Sequence, residues 1–135
     1  MSIQSPSLSF EVFPPNPAVG NEKIMAVLKE MQDLAPHFIS VTASNNKFNI
    51  EETTVRLADF IRNDLHIPTI AHLPAVYLTK EMVSDTLEAL DRVGVHKVLA
   101  LRGDIFLNMG PKKDFVYATD LIEYIKKEAP HFEIV

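Results

Sequence analysis

Short apolar runs alternate along this chain with longer stretches whose apolar residues recur every three or four positions. The run Leu8–Phe13 predicts a strand, ended by Pro14-Pro15. From Asn21 to Leu34, Ile24, Val27, Leu28, Met31 and Leu34 share one face of a predicted helix. A second strand is predicted over His37–Ala43. Asn49 and Glu52 then form a capping-box pattern before a second helix with Val55, Leu57, Ala58, Ile61 and Leu65 inward. Thr69–Leu73 is the third strand, entered through Pro68. Thr79 caps a third helix burying Met82, Val83, Leu87, Leu90 and Val93, and Gly94 stops it. Lys97–Leu101 is a fourth strand. A fourth helix covers about Tyr117 to Glu128, with Leu121, Ile122 and Ile125 inward, and Phe132–Val135 begins a fifth strand.

Strands that are apolar almost throughout, alternating with helices, imply a parallel sheet covered by helices. A doubly wound sheet and a TIM (β/α)₈ barrel both satisfy that pattern. The polar residues favour the barrel. Glu11, Thr42, His72 and Asp104 stand near the C-terminal ends of the first four strands, separated by 31, 30 and 32 residues. Side chains alternate between faces, so Glu11 shares a face with Ser9 and Phe13, opposite Leu8, Phe10 and Val12. The purely apolar face belongs under helices, which aims Glu11 at the inside of a curved sheet. Barrel enzymes assemble their sites from residues at the C-terminal ends of several strands. Eight such units would give about 250 residues, a typical barrel size. The 135 residues therefore read as the N-terminal part of a single (β/α)₈ catalytic domain: its first four βα units plus the start of strand five.

Composition narrows the function. The net charge is −5 and the basic residues are scattered, which excludes a nucleic-acid surface built on phosphate contacts. No apolar run approaches the roughly 18 residues of a membrane span. Met1–Pro6 carries no secretory pattern. There are no cysteines, hence no disulfides, thiolate ligands or thiol nucleophile, which fits a cytoplasmic enzyme. No metal-ligand cluster with the usual spacing and no glycine-rich phosphate loop occurs. Individually, Thr42 is an ordinary strand residue, His72 an ordinary core histidine and Asp104 an ordinary turn residue. Glu11 is different, because a carboxylate inside an apolar strand is seldom there without a partner or a task.

Five motifs, in order, carry a family resemblance. Ser9-Phe10-Glu11-Val12-Phe13-Pro14-Pro15 resembles the SFEFFPP opening of methylenetetrahydrofolate reductases. Ser40-Val41-Thr42 resembles their second-strand SVT, and Ala71-His72-Leu73 their third-strand HL. Leu101-Arg102-Gly103-Asp104 resembles LRGD, and Tyr117-Ala118-Thr119-Asp120-Leu121 resembles YASDL. The resemblance implies an FAD-dependent oxidoreductase that reduces 5,10-methylenetetrahydrofolate with NAD(P)H. It implies Glu11 as the general acid that opens the folate ring, kept protonated by apolar surroundings. It implies Asp104 as a carboxylate beside flavin and pterin. Arg102 and Gly103 become flavin-loop contacts, Thr42 and His72 flavin or nicotinamide contacts, and Tyr117 and Ala118 contacts to the adenosine side of FAD. The chain departs from the pattern at Ala43-Ser44-Asn45-Asn46, where an aromatic and a glycine-rich loop are common, and at Pro74-Ala75, where Thr-Cys is common.

Two other readings compete. A phosphate-binding aldolase or lyase would need a Schiff-base lysine at a strand end, and none is evident. An inactive half-barrel acting only as a folding or self-association module is compatible with the composition. The bare edges of a partial barrel predict a homo-oligomer in either case.

Overall fold

The computed structural model of the chain describes residues 8–15, 22–43, 50–103 and 114–135. Five strands run in parallel: β1 (Ser9–Val12), β2 (Phe38–Val41), β3 (Thr69–Pro74), β4 (Lys97–Leu101) and β5 (Glu133–Ile134). Their spatial order is their sequence order, 1-2-3-4-5, and every neighbouring pair is parallel. A doubly wound sheet reverses its strand order at a switch point, and no reversal occurs among the described strands. Right-handed crossovers between sequential neighbours put the connecting helices on one face. The result is a parallel α/β sheet with one face helix-covered and the other left open by those helices, with Glu11 and Lys97 exposed on it and Ser40, Thr42, Ile70 and His72 buried.

Cross-strand register identifies the two faces. Val12, Val41, Ala71, Val98 and Ile134 form one row. The first four are buried and Ile134 packs partly against the same core. The next row along the strands, on the other face, is Glu11, Ser40, Ile70, Lys97 and Glu133. Lys97 Nζ lies 3.7 Å from Glu133 Oε2 there. The apolar row is the floor of the helix layer.

Local chemistry explains most element ends. The helix α3 (Lys80–Val93) starts at Thr79, whose hydroxyl accepts from Met82 N–H at 3.1 Å. It stops at Gly94, whose φ of +78° suits a residue without Cβ. Asp114 adds a carboxylate at the start of α3, accepting from Lys80 N–H at 2.8 Å, where the helix dipole favours negative charge. Ahead of α4 (Ala118–Glu128), the Asp120 carboxylate accepts from Val116 and Tyr117 N–H groups at 3.1 and 2.9 Å. The helix over 51–64 is less regular. A π-helical turn, Glu51–Val55, and another, Phe60–Asp64, flank the α-helical α2 (Arg56–Asp59). Its inward face is as the spacing predicts: Leu57, Ala58 and Ile61 are fully buried, and Val55 and Leu65 nearly so. The Asn49 half of the expected capping box lies outside the described residues.

Four apolar expectations fail, the first being Leu8, which is exposed just ahead of β1. Met82 is exposed because it sits about 100° round the helix from Val83, on the flank rather than the core face. Val27 and Leu34 are exposed as well. The helix α1 (Glu22–Gln32) has one fully buried residue, Leu28, with Ile24, Met25 and Met31 partly covered. It lies at the β1 side of the layer, and Leu34 falls beyond its end.

Candidate active site

The open face gathers the polar residues that the sequence marks. Glu11 lies on it in β1 and His72 in β3, on either side of β2, with Ser40 of β2 aligned with Glu11 and with Ile70 rather than His72. The two side chains still approach each other across β2: His72 Nε2 lies 3.8 Å from Glu11 Oε1. That separation is too long for a direct hydrogen bond and short enough for a strong electrostatic contact. The side chains differ in burial, His72 at 9% exposure and Glu11 at 54%.

Burial lowers the His72 pKa below its ordinary value, and the nearby Glu11 carboxylate only partly offsets this. His72 is therefore a neutral imidazole at neutral pH. Glu11 departs from expectation in another way. Its carboxyl is not enclosed by apolar neighbours: Val12 and, in part, Phe10 pack into the core on the helix side, while Glu11 is 54% exposed on the other face.

The strand-end residues also occupy more than one level. Glu11 is in register with Ser40, and His72 with Leu99. Since Ile70 aligns with Ser40, His72 stands two residues further along the strands than Glu11. Near-constant spacing in sequence thus produces staggered heights across the sheet. Phe13, 69% exposed, follows Glu11 by two residues. It keeps the face that strand alternation gives it in the sequence, and its exposure is what the apolar run does not reveal.

Thr42 follows β2 and is held by its N–H, which donates to Val12 carbonyl at 2.9 Å, and by its carbonyl, which accepts from Thr54 Oγ1 at 3.0 Å. Its own Oγ1 is buried and has no hydrogen-bond partner among the described residues. A buried hydroxyl without a partner is costly. After β4 the chain turns through Arg102 and Gly103. The Arg102 carbonyl accepts from Val76 N–H at 3.0 Å, tying this turn to the exit of β3. Gly103 has φ +87°, and a Cβ there would meet Pro74 Cβ at 3.0 Å and Val76 Cγ2 at 3.2 Å. Arg102 itself is exposed. Tyr117 is 60% exposed and Ala118 opens α4 beside it. Asp104, like Ser44, Asn45 and Asn46, lies outside the described residues. The structure thus brings Glu11, Thr42 and His72 to one open face, and Arg102 and Gly103 to the end of β4.

Residues 2–135 match the family model described as methylenetetrahydrofolate reductase. The chain belongs to that family. It is 35% identical over 129 residues to 5,10-methylenetetrahydrofolate reductase from Buchnera aphidicola subsp. Baizongia pistaciae, covering 95% of this chain and 42% of that one. To methylenetetrahydrofolate reductase 2 of Schizosaccharomyces pombe it is 33% identical over 125 residues, 89% of this chain and 19% of the other. To methylenetetrahydrofolate reductase (NADH) 1 of Zea mays it is 28% identical over 126 residues, 89% and 21% respectively. The chain spans less than half the length of these reductase-family relatives. No helix among the described residues is long and apolar enough to cross a membrane.

Proposed function

We propose that this chain forms the N-terminal half of a (β/α)₈ catalytic domain in an FAD-dependent reductase that converts 5,10-methylenetetrahydrofolate to 5-methyltetrahydrofolate with NAD(P)H. The reading is carried by one observation in a reductase-family chain: the Glu11 carboxyl on the open face, 3.8 Å from a His72 held neutral by burial. The unreversed strand order supports a barrel arc, with the open face as its inside.

In this reading Glu11 is the general acid. Its carboxyl gives a proton to N10 of the folate's five-membered ring. The bond from N10 to the methylene carbon then breaks, N10 leaves as a neutral amine, and the methylene becomes an iminium on N5. A neutral His72 places no fixed positive charge beside the carboxyl that has to donate. Exposure of Glu11 on the open face leaves it accessible to substrate, and the remaining barrel strands would supply the desolvation that these five do not.

The residues present fit a flavin. Thr42 Oγ1 is buried with no hydrogen-bond partner among the described residues, and Gly103 lets the turn after β4 close against Pro74 and Val76 at the exit of β3. Thr42, His72, Arg102, Gly103, Tyr117 and Ala118 would hold the FAD, and Asp104 would lie beside it, a role resting on the LRGD resemblance. When bound, the flavin supplies hydride transfer from NAD(P)H to the opened folate.

The test uses a protein carrying this chain with the remaining strands. Glu11→Gln should slow folate reduction by about 10²–10⁴-fold while leaving reduction of the flavin by NAD(P)H unchanged, both read by stopped-flow absorbance. Equal loss in both half-reactions would remove Glu11 from the role of acid. Homo-oligomer formation belongs to the same proposal, since the outer edges of β1 and β5 are unpaired among the described strands.

A further inference from the structure

At the opposite end of β4 from the Arg102–Gly103 turn, three side chains converge that the reductase reading does not use. Asp91 is in the last turn of α3. His96 lies in the short connection into β4, and His131 in the turn between α4 and β5. His96 Nε2 is 2.8 Å from Asp91 Oδ1. His131 Nε2 is 2.9 Å from Asp91 Oδ1 and 3.0 Å from Oδ2. One ligand-capable atom from each residue lies within 4.8 Å of the others. All three side chains are partly exposed, at 41%, 47% and 53% for Asp91, His96 and His131.

The geometry points to a divalent-cation site of the zinc class, with Asp91, His96 and His131 as ligands and open positions for water. Two imidazoles and a carboxylate suit borderline ions such as Zn²⁺. Metal–ligand bonds of about 2.0–2.1 Å would place an ion between atoms already this close after small rotations of exposed side chains. The rings are oriented before any ion arrives. Phe132, itself buried, meets His96 edge-on at 5.5 Å and 83°, and lies tilted against His131 at 4.9 Å and 50°. The Asp91 carboxylate has no lysine or arginine ion-pair partner among the described residues. Among the described residues, that carboxylate pairs only with the two imidazoles.

A bound ion would tie the end of α3 and the entry of β4 to the α4–β5 turn. It lies too far along the strands to touch the folate chemistry: a strand of this length spans about 16 Å. Its effect would be on the fold.

The experiment titrates Co²⁺ into the 135-residue chain and follows the visible d–d absorption, then displaces it with Zn²⁺. The expected result is one Co²⁺ per chain, bleached by Zn²⁺, and a thermal midpoint raised by Zn²⁺. His131→Gln and His96→Gln should each weaken binding by at least about tenfold, since loss of even an outer-shell partner costs that much. His37→Gln/His66→Gln, which removes two histidines outside the cluster, should leave binding unchanged. Circular dichroism of each variant without metal confirms that it folds, and Asp91→Asn repeats the test with the hydrogen-bond geometry preserved. No absorption on titration, or affinity undiminished in His131→Gln and Asp91→Asn, would overturn the site and leave the cluster a hydrogen-bonded triad.

Discussion

Replacing Gly103 with alanine tests the turn that brings the end of β4 against the exit of β3. At φ +87° an L-residue carries a steric cost of roughly 1–2 kcal/mol. The new methyl would also meet Pro74 Cβ at 3.0 Å and Val76 Cγ2 at 3.2 Å. Pro74 is a rigid ring at the end of β3 and buried, so it cannot swing away. Overpacking of this kind adds about 1–3 kcal/mol. Alanine also narrows the unfolded ensemble, which offsets about 0.4–1 kcal/mol. The net expectation is a loss of about 3 kcal/mol, read as a lowered urea midpoint with unchanged slope, since the slope follows the surface exposed on unfolding. The double variant Pro74→Gly/Gly103→Ala separates the contributions, because glycine removes the Cβ that the new methyl meets. If that clash dominates, adding Gly103→Ala to Pro74→Gly should cost less than Gly103→Ala costs in the native chain. A Gly103→Ala loss below about 0.5 kcal/mol, within the range of an ordinary surface substitution, would refute both the left-handed backbone and the close approach.

Other expectations follow from single contacts. Thr79→Ala removes the hydroxyl that accepts from Met82 N–H and should cost about 1 kcal/mol, measured by urea unfolding; Thr79→Ser should recover most of it. The imidazole protons of His72 should titrate by NMR below 6.5, and Glu11→Gln should lower that midpoint further by removing the carboxylate that raises it; an unmoved midpoint would mean the 3.8 Å contact is absent in solution. Because the folded-state pKa of His72 is depressed, its contribution to stability is present above pH 6.5 and lost as pH falls through the folded value. Unfolding at pH 7 and at successively lower pH, with His72→Gln showing a flatter acid limb than the native chain, checks that sign. With the outer edges of β1 and β5 unpaired among the described strands, light scattering after size exclusion should show self-association, and a clean monomer would contradict it.

The fold was most readable where chemistry is local. Thr79 and Gly94 bound α3 because a hydroxyl and a missing Cβ solve problems within one helical turn. The face assignment of Glu11 needed only strand alternation and the apolar run beside it. What escaped the sequence depends on neighbours distant in the chain. The exposure of Val27 reflects where α1 sits at the β1 side of the layer. The stagger between Glu11 and His72 comes from strand register, which residue spacing does not encode. The convergence of Asp91, His96 and His131 joins positions up to forty residues apart, so a search for metal ligands at short regular spacing passes over it.

The unreversed strand order has a consequence for how the chain acquires its structure. Each strand pairs with a partner only about thirty residues behind it in sequence, so each pairing closes a loop of similar, moderate length. Among these five strands, none must wait for a distant segment before it finds its first neighbour. Chain emerging from a ribosome could therefore add βα units one after another onto the sheet already made, with little contact order accumulated at any step. Such stepwise growth predicts that an early unit, once paired, protects its backbone amides from hydrogen exchange before the last strand has been synthesised.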